Sequence, residues 1–129
     1  MKQWITVDQL NELSEEQKVK LREWWEFDSA DMVCSTKTGR CFIGCEVEGL
    51  PVDNYLLPQL SIGQMIALLH SKTKEQALGW NDTGCFWHVH IGPRGTGSML
   101  EGVGKTFTDN EIENGCLADT LWEAVKAVL

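Results

Sequence analysis

Two histidines, His88 and His90, stand one residue apart in the run GCFWHVHIGPRGTGSMLEGVGK, which spans residues 84–105. Phe86 precedes them, and Arg94, Thr96, Ser98 and Lys105 follow among five glycines. In a strand, alternate residues share a face, so both imidazoles would point the same way. Paired imidazoles can share a metal ion, and they can also donate to an anion. Glycines let backbone amides approach phosphate, an arginine offers a fork of donors, and Phe86 or Trp80 can stack on a base. Phe86, His88, His90, Arg94, Thr96, Ser98 and Lys105 are therefore the candidate ligand-binding residues.

Complete catalytic motifs are missing from the same stretch. Gly104-Lys105-Thr106 ends like a phosphate-binding loop, but the first glycine that such a loop needs is replaced by Met99. Gly92, Gly95 and Gly97 do not keep the spacing of a dinucleotide fingerprint. A metal would need further ligands from Asp82, His70 or a cysteine, none at a telling spacing, and Cys85 falls on the opposite strand face by parity. No thiol has a recognisable base beside it, and Glu46 with Glu48 reads as a solvated strand face. The run Trp-His-Val-His-Ile-Gly-Pro resembles the strand of the histidine-triad nucleotide hydrolases over seven residues, with Gly92 where the third histidine would stand. Losing that imidazole removes the hydrolytic chemistry. No catalytic residue, metal or cofactor is assigned.

The elements that must position these residues are legible from caps and periodicity. Thr6 caps a short turn with Val7, Leu10 and Leu13. Ser14 and Gln17 form a capping box that opens a helix through about Phe27, with Leu21, Trp24 and Trp25 inward as core. Residues 31–47 read as two strands around a glycine turn, and Leu56-Leu57-Pro58 ends an irregular link. Ser61 and Gln64 cap a helix that stops near Lys72 and turns Ile62, Met65, Ile66 and Leu69 inward. Residues 85–91 alternate as a strand, with Trp87, Val89 and Ile91 toward the core. Thr108 caps a last helix carrying Ile112, Leu117, Leu121, Val125 and Val128. The expected fold is α+β, a small, mainly antiparallel sheet packed against three or four helices, in one domain over 1–129.

Composition bounds the setting. Nineteen acidic and eleven basic residues give a net charge of −8, which repels phosphate backbones and argues against general nucleic-acid binding. No apolar run is long enough for a membrane span or a signal peptide, so a cytoplasmic protein is expected. In a reducing cytosol the five cysteines are expected to stay free. Six tryptophans in so small a chain would suit self-association, so a homo-oligomer is compatible with the composition.

Three segments, LSEEQKVKLREWW at 13–25, LLPQLSIGQMIALL at 56–69 and CLADTLWEAVKAVL at 116–129, together resemble a group of small uncharacterised phage and prophage proteins of Gram-positive bacteria. The resemblance implies an accessory protein made in the host cell, and such proteins often inhibit host defence. On that reading the chain is a non-enzymatic binder that sequesters a nucleotide-like signal. The alternative is an inhibitor that binds a host defence protein or nuclease directly, through the acidic clusters at Glu12, Glu15, Glu16 and at Asp109, Glu111, Glu113. A metal-dependent enzyme built on the two histidines is a third reading.

Overall fold

The structure is a computed structural model and describes residues 2–46, 56–73, 76–81, 86–91, 105–108 and 116–129, with backbone alone at 76, 77, 79–81, 86 and 105. It is α+β, with helices and two three-stranded antiparallel sheets. The contacts gather into two compact units, Trp4–Ser61 with Leu129, and Met1–Gln3 with Ile62–Val128.

The first unit begins with helix α1 (Val7–Leu10), capped by Thr6 in a box with Gln9. Helix α2 (Glu15–Trp24) opens at the expected box, in which the Gln17 amide donates to Ser14 Oγ and the Ser14 amide donates to Gln17 Oε1. It ends three residues before Phe27, because Trp25 is already extended at ψ 121°. Asp31 reinforces that exit: its Oδ2 accepts from Trp25 Nε1 at 2.8 Å and from the Asp28 amide at 3.0 Å. Helix α2 buries Leu21 fully, whereas Trp24 and Trp25 are only half-buried, so these tryptophans are not the interior residues that the sequence suggests.

Strands β1 (Met32–Ser35) and β2 (Cys41–Ile43) form the expected hairpin, and a 3-10 turn, Gly44–Glu46, follows. Gly39 sits in the turn at φ +74°, the left-handed region that a side chain disfavours. Two departures come from pairing at a distance. Leu56–Pro58 is not an irregular link but a strand, β3, hydrogen-bonded to the free side of β1. Cys34 and Cys41, register partners, are joined as a disulfide with Cα atoms 4.1 Å apart, so these two thiols are not free. Ile5, Leu10, Leu21, Val33, Leu57 and Leu60 are buried, and the Ile5 amide donates to the Leu60 carbonyl at 3.0 Å.

The second unit carries helix α3 (Ile62–Lys72), strands β4 (Gln76–Asn81), β5 (Phe86–Ile91) and β6 (Lys105–Thr108), and helix α4 (Leu117–Val128). The sheet order is β4-β5-β6, with β5 central. Helix α4 packs on α3, β5 and β6, and it buries Leu117, Leu121, Trp122 and Val125 at helical spacing. That packing decides the inner face of α3, which is Met65, Leu68 and Leu69; Ile66, expected inward, is 39% exposed. Thr108, expected as a helix cap, is the last residue of β6, residues 109–115 after it lie outside the described residues, and α4 starts at Leu117, after Cys116, whose carbonyl accepts from the Thr120 amide and hydroxyl. Ile112 lies outside the described residues. No helix among the described residues is long and apolar enough to cross a membrane.

Candidate functional site

The two histidines lie where alternation puts them, on the central strand β5. Val89 and Ile91 are buried on one face, with Trp87 half-buried beside them. Across the sheet, His88 is paired with Gly79 of β4 and Thr108 of β6, and His90 with Ala77 and Thr106. One sheet face thus carries a two-by-two array of imidazoles and threonines, and the positions beside it on β4 hold the two smallest residue types.

His90 is more than a surface residue. It is 9% exposed, and its Nδ1 lies 2.7 Å from Thr106 Oγ1. Because the threonine hydroxyl can either accept or donate, this contact fixes the ring orientation with either tautomer. His88 is half-buried and Thr106 exposed, so the array grades from an anchored imidazole toward a solvent-facing edge.

The remaining candidates are only partly placed. Lys105 opens β6 as the register partner of Ile91, so the connection between β5 and β6 leaves and returns at the His90–Thr106 end of the sheet. Arg94, Thr96 and Ser98 belong to that connection and lie outside the described residues, as do the side chains of Phe86 and Lys105. The acidic residues Asp109, Glu111 and Glu113, and the possible metal partner Asp82, lie outside them too. Glu46, expected on a strand face, sits in the 3-10 turn, and Glu48 lies outside the described residues. Among the described residues, no group of three or more His, Cys, Asp or Glu side chains is arranged to hold a metal ion.

Polar chemistry that no sequence motif marks lies in the other unit. A cleft of about 750 Å³ opens between α2 and the β1–β2 turn, lined by Glu15, Lys18, Val19, Arg22, Glu23, Thr36 and Lys37. The five α2 positions are one helical stripe, at i, i+3, i+4, i+7 and i+8. Lys18 Nζ lies 3.2 Å from Glu15 Oε1; the lysine side chain is 14% exposed and its partner 91%. The lysine is therefore drawn into the cleft wall and is not merely tethered at the surface. The helical spacing of Lys18 and Arg22 was visible in the sequence, but the approach of Thr36 and Lys37 was not.

Comparison with known protein families, with characterised proteins and with solved structures gives no match to this chain.

Proposed function

We propose that the chain is a non-enzymatic binder of a nucleotide-like signal, acting in a bacterial host as a phage accessory protein that inhibits defence by sequestration. The observation that carries the reading is the β5–β6 face, where His88 and His90 stand beside Thr108 and Thr106 with His90 fixed by its 2.7 Å contact. An array of two imidazoles and two hydroxyls offers several donors and acceptors to a phosphate or a base edge. Arg94, Thr96 and Ser98, which lie outside the described residues, follow β5 in the sequence and would add a guanidinium and further hydroxyls to the ligand's partners. Calorimetry of the full chain against cyclic nucleotides and adenosine-diphosphate-ribose-type nucleotides tests the reading. Saturable heat that H88A weakens at least tenfold is the expected result, and no heat from the folded protein with any of them overturns it.

One observation favours a second reading, direct binding of a host defence protein through an acidic surface. Glu12, Glu15 and Glu16 are all exposed on the first unit, Glu15 at 91% and Glu16 at 80%. Lys18 and Lys20 pair with Glu15 and Glu16, however, and carboxylates in a first helical turn are favoured by the helix dipole in any protein. A pull-down from host lysate at low salt that retains no defence protein or nuclease discards this alternative.

A further inference from the structure

We propose that the cleft between α2 and the β1–β2 turn is a second binding site, for a small molecule whose charge is carried by a phosphate- or carboxylate-type group. Four observations support it, and none involves the β5–β6 face.

The first is charge. The chain has nineteen acidic and eleven basic residues, yet the seven residues of this cleft include three cations, Lys18, Arg22 and Lys37, against two carboxylates, Glu15 and Glu23. The local balance is inverted relative to the whole molecule, and a concave wall concentrates that field on whatever enters it. The second is size: about 750 Å³ falls within the range of roughly 300–1,000 Å³ typical of small-molecule sites.

The third is chemical variety. Arg22 brings a planar fork suited to an oxyanion, Lys18 and Lys37 bring ammonium groups, and Thr36 brings a hydroxyl from the opposite wall. Val19, 46% exposed, supplies an apolar patch on which the uncharged part of a ligand can rest. The fourth is preorganisation. Thr36 and Lys37 belong to a turn closed by the Cys34–Cys41 disulfide and held by internal bonds that include Gly39 N–H to Ser35 O at 2.8 Å, Ser35 N–H to Arg40 O at 2.8 Å, Thr38 N–H to Ser35 Oγ at 3.3 Å and Arg40 N–H to Thr38 Oγ1 at 3.3 Å. A wall already fixed loses little freedom when a ligand arrives.

Glu15, which pairs with Lys18, competes with the ligand for that cation, and Glu23 on the same helical stripe opposes an anion by its charge. This sets the direction of two opposite substitutions. Removing cations as R22Q/K37Q weakens binding, and removing the exposed carboxylates as E15Q/E23Q strengthens it.

Backbone amide chemical shifts of the full chain, titrated with inorganic pyrophosphate and separately with citrate, test the proposal. Saturable shifts at Lys18, Arg22, Thr36 and Lys37 with either probe are expected. Pyrophosphate alone identifies the phosphate type of ligand, and citrate alone the carboxylate type. R22Q/K37Q should bind at least tenfold more weakly, E15Q/E23Q about threefold more tightly, and H88A as the parent does. The last comparison separates this cleft from the nucleotide site, whichever way the calorimetry above falls. The proposal is overturned if neither probe moves those amides, if R22Q/K37Q binds as well as the parent, or if E15Q/E23Q, which leaves the cations in place, does not tighten binding.

Discussion

At position 44 a hydrogen atom is all that fits. A Cβ there would sit 2.6 Å from the Asp28 carbonyl oxygen and 3.2 Å from Phe27 Cζ, while the Gly44 amide itself donates to the Asp31 carbonyl at 2.7 Å. The nearest obstacle is backbone, so the Asp28–Asp31 loop would have to shift. G44A should therefore lower the unfolding free energy by about 1–3 kcal/mol, as overpacking does, measured by urea denaturation. The Thr106 hydroxyl makes a different kind of contribution. Replacing it with an isosteric methyl in T106V leaves the buried His90 Nδ1 without the partner seen at 2.7 Å. A loss of about 1–2 kcal/mol is expected, the usual penalty of a buried polar group stripped of a bond. A variant as stable as the parent would show that His90 is not anchored in this way.

At the scale of elements, the Cys34–Cys41 bridge joins residues seven apart in sequence. Closing so short a loop restricts the unfolded chain by about 2.5 kcal/mol on the loop-entropy estimate. Unfolding monitored with and without reductant should differ by that order, and identical curves would remove the bridge from the stability of the first unit. The elements also show where the sequence is readable. Ser14 with Gln17 marks the start of α2 because a capping box is satisfied within four residues. The strand at Phe86–Ile91 is visible because alternation is equally local. Leu56–Pro58 became a strand only because β1 had a free side to pair with, and Thr108 was ambiguous because a hydroxyl before acidic residues suits a helix cap and a strand end alike. The choice of Leu68 over Ile66 as an inward residue depends on packing between α3 and α4, which no pattern within α3 states. The site divides in the same way: the shared face of His88 and His90 follows from parity, whereas the threonines beside them and the Lys18–Lys37 cleft come from segments brought together by the fold.

For the whole molecule the governing quantity is a net charge of −8 on 129 residues. Like charges repel in any compact state, and salt screens them over roughly 8–10 Å at physiological ionic strength. Raising sodium chloride from about 20 to 150 mM should accordingly raise the thermal midpoint by a few degrees; a fall would mean that local ion pairs such as Lys126–Glu123 outweigh the repulsion. Lys2 bears on the order in which the molecule is made. Its ammonium bonds to Asp119 on α4, and the Ile62 amide donates to the neighbouring Gln3 carbonyl. The first unit, apart from Leu129, is one continuous stretch of chain, whereas the second draws on both ends of the sequence. As the ribosome delivers the chain from its N-terminus, every segment of the first unit except that last residue emerges before Asp119, to which Lys2 bonds, and before Ile62, which donates to Gln3. The β4–β5–β6 sheet gains its helical cover on β5 and β6 only once α4 has emerged. A chain lacking α4 would keep every residue of the first unit but Leu129 and lose the helix that packs on β5 and β6.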